Sequence, residues 1–290
     1  MTTSTRHRRR TIQGHTLFFR EAGDAGAPTI VLLHGFPTSS FMFRNLIPQL
    51  AQDFHVIAPD HLGFGFSDAP PVSEVDYTFD ALTDLTEALL TDIGVESYAL
   101  YVQDYGAPIG WRLATRNPEA ITAIVSQNGN AYEAGFVESF WKVVTDYQTD
   151  QNAETERAVR FALSLEAIQW QYLTGVEDPT LIDPETWTHD LALVSRPGND
   201  EIQLKLFRDY ETNVAMYPEL HRYFRASQVP LLAVWGEGDE IFGPDGAKAF
   251  LTDLSDAQVE LLPGGHFLLE SAGDEVAALV TTFLKRQTLS

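Results

Sequence analysis

Apolar residues along this chain fall into two alternating patterns. Short, mainly apolar runs of strand length occur at residues 29–33, 54–58, 98–102, 121–126, 229–235 and 259–262, the first of them continuous. A continuous run is expected of a strand covered on both faces. Residues 15–20 add a further strand-like stretch. Between the runs, apolar positions recur at helical spacing over 41–51, 77–93, from 107 onward, and over 275–285. Such alternation predicts an α/β fold, a mostly parallel sheet with helices on both faces. It is interrupted once, where residues 132–226 carry helical patterns rich in Trp and Tyr and no convincing strand. The expected organisation is therefore a core of residues 1–131 and 227–290, with a helical cap, 132–226, inserted over the carboxyl edge of the sheet. Residues 1–12, with their run of arginines, read as a disordered basic tail.

Composition narrows the function classes. The formal net charge is -22, and the lysines are Lys142, Lys205, Lys248 and Lys285. A surface this acidic repels nucleic acid and anionic membrane, so neither is an expected partner. No apolar run reaches the ~18 residues a membrane helix needs. Residues 6–10 are followed by mixed polar sequence rather than an apolar export segment, and the expected location is cytoplasmic, as a monomer or homodimer. The absence of cysteine excludes thiolate nucleophiles, disulfides and cysteine-ligated zinc. The histidines show no metal-ligand spacing, and Gly63-Phe-Gly65 lacks the third glycine of a dinucleotide loop, so neither metal nor cofactor is expected.

The chemistry concentrates where residues 98–102 give way to a helical pattern. Asp104 lies at that junction, between Gln103 and Tyr105, with Gly106 and Pro108 following. A sharp strand-to-helix turn with a nucleophile at its apex is a nucleophile elbow, and the new helix aims free N–H groups at the apex. Asp104 also suits a plain helix N-cap. Partners at other strand ends decide between the two. Asp239 follows the 229–235 run and His266 follows the 259–262 run. The order nucleophile, acid, histidine is that of a catalytic triad on such a sheet, with His266 as general base and Asp239 fixing its tautomer. Glu237 and Glu240 are the neighbouring rival acids.

Taken together, His34-Gly-Phe-Pro37, Asp104-Tyr-Gly, Asp239 and Gly265-His266 resemble the α/β-hydrolases, specifically the branch with an aspartate nucleophile: epoxide hydrolases and haloalkane dehalogenases. The resemblance runs from about His15 to the end and implies no cofactor, only a small apolar electrophilic substrate. Val102 stands where the wider superfamily has glycine, and Tyr105 where both subfamilies typically carry tryptophan. The resemblance further implies an oxyanion hole from the N–H groups of Phe36 and Tyr105, a cis bond before Pro37, and substrate contacts from His34, Pro37, Trp141 and Trp170. A carboxylate nucleophile suits displacement at saturated carbon through an alkyl ester that water then cleaves.

The subfamilies differ in their leaving group. An epoxide needs hydroxyl donors, for which the family uses two cap tyrosines. Tyr147, beside Gln148, and Tyr217 match those segments, with Tyr210 and Tyr223 as competitors. A halide needs N–H donors. The usual places hold Tyr105 and Phe36, and Trp111, Trp141, Trp170 and Trp187 have no supporting spacing. Epoxide hydrolysis is thus the leading expectation, followed by a dehalogenase with an atypical halide site. A ligand-binding module on a hydrolase fold comes last.

Overall fold

The computed structural model describes residues 4–288. Eight strands form one sheet in the order β1-β2-β4-β3-β5-β6-β7-β8. They are β1 (Arg6–Ile12), β2 (His15–Ala22), β3 (Thr29–Leu33), β4 (His55–Pro59), β5 (Tyr98–Val102), β6 (Ile121–Gln127), β7 (Leu231–Gly236) and β8 (Gln258–Leu262). β2 runs antiparallel to both β1 and β4, and every other pairing is parallel. The central strands are buried along their whole length, as their mainly apolar runs require.

Helices α1 (Ile47–Leu50), α2 (Phe79–Asp92), α3 (Gly106–Arg116), α10 (Pro244–Ala249) and α11 (Leu268–Thr288) pack with the sheet. α2 shows how sequence sets a boundary. The Thr78 side chain accepts the Ala81 N–H at 3.1 Å and starts the helix, and Phe79, Leu82, Leu85, Leu89 and Leu90 form its buried stripe. Between β6 and β7 run α4 (Glu138–Thr149), α5 (Ala153–Arg160), α6 (Leu165–Leu173), α7 (Glu185–Val194), α8 (Asn199–Asp209) and α9 (Glu211–Ser227). Among the described residues this segment contributes no strand to the sheet, only an isolated bridge from Phe136 to Phe242.

Two sequence expectations are corrected. The basic tail is a strand. Residues 6–12 form the edge strand β1, paired residue by residue with β2, while residues 1–3 of that expectation lie outside the described residues. Gln13 and Gly14, at φ 51° and 90°, make the two-residue turn that right-twisted hairpins favour. The arginines fit an edge position, where charge discourages pairing with other chains. Residues 41–51 do not form one helix either. A short 3-10 turn, Ser40–Phe43, is separated from α1, and Pro48 in the first turn of α1 has no N–H to continue a longer helix.

Because β3 and β5 to β8 run parallel, the loops after them emerge on one edge. These loops contain Phe36, Asp104, Asn128, Asp239 and His266. Among the described residues, no helix is long and apolar enough to cross a membrane, and no group of three His, Cys, Asp or Glu side chains is placed to hold a metal.

Candidate active site

Asp104 stands at the strand-to-helix turn with φ 46°, a left-handed conformation that is uncommon for a non-glycine residue and points to a site under constraint. The turn nests tightly against the loop after β3. A Cβ on Gly106 would lie 2.0 Å from the Leu33 carbonyl oxygen, and one on Gly35 would lie 2.3 Å from the Asp104 Cβ. These two glycines are what allow the close approach. Asp104 Oδ1 accepts the Phe36 N–H at 2.7 Å, and the Tyr105 N–H also bonds the Asp104 carboxylate. The Phe36–Pro37 peptide bond is cis. Burial raises the Asp104 carboxyl above the ordinary carboxylate range, although His266 and the two N–H groups pull it back.

His266 Nε2 lies 3.8 Å from Asp104 Oδ2, and its Nδ1 lies 2.9 Å from Asp239 Oδ2. Asp239 is fully buried and its other oxygen accepts the N–H groups of Ile241 (2.7 Å) and Phe242 (3.2 Å). An acceptor at Nδ1 holds the proton there and leaves the Nε2 lone pair facing Asp104. Burial alone lowers the His266 imidazole. The charge and hydrogen bond of Asp239, with Asp104 beyond it, outweigh burial and leave the ring above its ordinary value. Both rival acids, Glu237 and Glu240, are exposed.

Two polar side chains enter this cluster without having been singled out from sequence. Asn128, itself at φ 48°, donates Nδ2 to Asp239 Oδ2 at 2.8 Å and so holds the acid from a third strand end. The Gln103 amide nitrogen lies 3.0 Å from His266 Nε2, and its Oε1 is buried without a partner. A water delivered to His266 therefore has to exchange with that amide. The turn chemistry after β6 is a weak signal for Asn128, and the position beside Asp104 is the one available for Gln103.

The wall above Asp104 differs from expectation. Tyr147 does not reach the site. It lines a surface pocket with Glu156, Glu201 and Arg208, and the charges bearing on its hydroxyl are those of Glu156, Arg160, Glu201 and Arg208. The reason is helical phase. Trp141 packs on Tyr210 at 4.5 Å between ring centroids, and Tyr147, six residues later in α4, is rotated by about 240°.

Tyr210, on the Trp141 side, lies closer to Asp104. It is fully buried, and Tyr217, Asp104 and Tyr105 all act on its hydroxyl, which burial above all pushes well up. Tyr217 stands behind it, hydrogen-bonded to Tyr210 and 3.4 Å from Asn130 Nδ2. Tyr223 lies near Tyr98, at the opposite end of β5 from Asp104. The Tyr105 hydroxyl is buried with no hydrogen-bond partner, and burial and then Asp104 push it well up.

His34 is not placed as a substrate contact. Its Nδ1 meets Gly35 O at 2.9 Å and its Nε2 accepts the His61 N–H at 3.1 Å, so both ring nitrogens are used to shape the loop. Burial lowers this ring to about 4 and keeps it neutral. Pro37 lies in that same loop. Trp141 commits its Nε1 to Ile241 O at 2.9 Å and offers only its ring to the site. Trp170 stacks on Phe140 in the helical segment.

Known proteins share this architecture. The family model described as "alpha/beta hydrolase fold" matches residues 28–272. An uncharacterized hydrolase of Saccharomyces cerevisiae is 42% identical over 91% of this chain and 92% of its own length. A haloalkane dehalogenase of Mesorhizobium japonicum is 26% identical over 95% of this chain and 90% of its own. Epoxide hydrolase 3 of Mus musculus is 26% identical over 94% of this chain and 74% of its own. The crystal structure of the haloalkane dehalogenase DbeA from Bradyrhizobium elkani superposes with a TM-score of 0.83 over 99% of both chains, at 24% identity. With its eight-stranded sheet, its elbow after β5 and a family match over most of its length, this chain belongs to the α/β hydrolase fold family.

Proposed function

We propose that this protein is an epoxide hydrolase that works through an alkyl ester on Asp104, beneath a cap formed by the helices between β6 and β7. The observation that carries the choice is the set of donors near Asp104. Two buried tyrosine hydroxyls, Tyr105 and Tyr210, lie within the field of its carboxylate. Three of the five tryptophans commit their N–H to backbone carbonyls. Trp111, Trp141 and Trp235 donate theirs to the carbonyls of Asn130, Ile241 and Phe242, while Trp170 and Trp187 pack beside Phe140 and Tyr172. Opening an epoxide requires an acid for the developing alkoxide, and a neutral buried tyrosine supplies one.

In this reading Asp104 Oδ2 attacks an epoxide carbon. The C–O bond breaks, its electron pair passes to the epoxide oxygen, and that oxygen takes a proton from Tyr210 or Tyr105. The product is a hydroxyalkyl ester with Oδ1 already seated against the Phe36 N–H and the Tyr105 N–H also bonded to the carboxyl group. His266 Nε2 then removes a proton from water, and the hydroxide adds to Asp104 Cγ. The oxyanion forms on Oδ1, between the same two donors. Collapse expels the alkyl oxygen, which takes the proton from His266 and leaves as the diol. Hydrolysis leaves Asp104 as the acid, and that proton returns to the tyrosinate by way of solvent, restoring both the carboxylate and the tyrosine hydroxyl.

The donor assignment is tested in single-turnover reactions with styrene oxide. Tyr210→Phe and Tyr105→Phe together are expected to slow ester formation by about 10²-fold or more, the usual contribution of a general acid. Unchanged epoxide opening in both single variants and in the double variant contradicts the reading. So does bromide release from bromobutane that depends on Asp104 while epoxides are inert, which is the dehalogenase outcome named by the Mesorhizobium relative.

The pH dependence has a definite sign. His266 acts only when neutral, and its environment raises its pKa, so ester hydrolysis is expected to rise with pH and level off above the ordinary histidine value. Asp104 acts only when ionised, so ester formation falls on acidification sooner than for a normal carboxylate. Tyr105 and Tyr210 stay protonated throughout, because burial pushes both upward. Rapid-quench measurement of ester decay against pH checks this. A flat profile across the range of histidine titration contradicts it.

A further inference from the structure

The helical segment carries a second space, partly open to solvent, that the chemistry above does not use. A cavity of about 380 Å³ lies among α4, α5 and α6, walled by apolar side chains including Phe140, Val144, Val159 and Trp170. Its size is within the range of small-molecule pockets. Asp104 and His266 are not part of its wall, but Phe207 is. The Phe207 ring is buried, and its centroid lies 5.2 Å from that of Phe36 and 6.2 Å from that of Tyr105. Those are the two residues whose N–H groups bind the Asp104 carboxylate. A single aromatic ring thus separates the cavity from the elbow. The cavity's only charged groups are the exposed Glu166 and Glu240, the latter directly after Asp239.

We propose that this cavity receives the apolar substituent of the substrate, and that Phe207 is the partition whose movement joins it to Asp104. The substrate class is then an uncharged epoxide bearing a long alkyl or arylalkyl chain. A chain ending in a carboxylate is disfavoured, because it would meet Glu166 and Glu240 with no cation to offset them. The inference rests on the reading of Asp104 as nucleophile only for the identity of the reactive end. The wall is mainly apolar and buries methylenes, with Ser139, Gln171 and the two glutamates as its polar members.

The test compares butene oxide, hexene oxide and decene oxide with undecenoic acid epoxide, on the wild type and on Ala162→Trp, a partly exposed cavity position remote from Asp104. Wild-type kcat/KM is expected to rise by about fourfold per added methylene until the space is filled, the equivalent of ~0.8 kcal/mol per buried CH₂. The epoxy acid falls below the neutral epoxide of similar length. Ala162→Trp lowers kcat/KM for decene oxide about tenfold or more, with butene oxide held within about twofold, since only the long chain loses buried methylenes. Val144→Phe, which fills the cavity from α4, repeats the pattern if the first variant misfolds.

Phe207→Leu, which thins the partition, raises kcat/KM for decene oxide more than for butene oxide. An equal fall for both overturns the role of Phe207. A length dependence untouched by either filled variant, or an epoxy acid as good as its neutral counterpart, overturns the cavity assignment. Titration calorimetry with decanol, an unreactive chain, separates this inference from the chemistry. Binding to the wild type that is lost in Ala162→Trp and Val144→Phe supports the cavity even if no epoxide is opened. Equal binding to all three proteins refutes it even if epoxides are turned over.

Discussion

Replacing Asp104 with alanine is expected to abolish epoxide turnover, a loss of about 10⁴-fold or more, of the order seen when a covalent nucleophile is deleted. The expectation follows from position. Asp104 Oδ2 is the carboxylate oxygen that faces His266, and Oδ1 already accepts the Phe36 N–H, so no other carboxylate is poised to take over. Asp239, the other buried acid of the cluster, is consumed by His266, Asn128 and two backbone N–H groups. Alanine is a better probe than asparagine, because an amide beside a competent base and a water is open to hydrolysis back to aspartate. Residual turnover within about tenfold of wild type, with the fold retained by circular dichroism, contradicts the assignment.

His266→Gln carries the second large effect, and it differs in kind. Steady-state turnover is expected to fall by about 10³-fold or more, since general base catalysis is lost from the second step. The first step needs no proton from His266, so one equivalent of epoxide is still consumed in a rapid burst. Asp104→Ala shows neither burst nor turnover. This split between half-reactions separates a base that activates water from a histidine that merely supports the carboxylate. Loss of burst and turnover together in His266→Gln contradicts the proposed division of labour.

The parts of this protein that were legible in its sequence are those set by local pattern. Mainly apolar runs locate β3 to β7 because a doubly covered strand has no polar face to mark. The elbow is legible because a strand, an acid, a glycine and a helix must follow one another within a few residues, and Gly106 indeed lies against Leu33. β1 was missed because an edge strand covered with arginine carries no apolar run. The one signal available is the Gln13-Gly14 turn.

The placement of the cap tyrosines, among which the sequence favours Tyr147 and Tyr217 over Tyr210, was less legible for a different reason. Their identity depends on the rotational phase of α4 and on where α8 breaks into α9, and an error of a few residues moves a hydroxyl from the pocket to the surface. Tyr147 and Tyr210 are that case. The shaping role of His34 was hidden similarly, since only the fold shows both its ring nitrogens turned to backbone groups.

The most direct test of the central claim is the intact mass of His266→Gln after exposure to styrene oxide and, separately, to bromobutane. The account predicts a single adduct of epoxide mass, localised by peptide mapping to the peptide containing Asp104 and absent from the Asp104→Ala, His266→Gln double variant. An alkyl adduct formed from the bromide alone, or no adduct from either compound on folded protein, contradicts it.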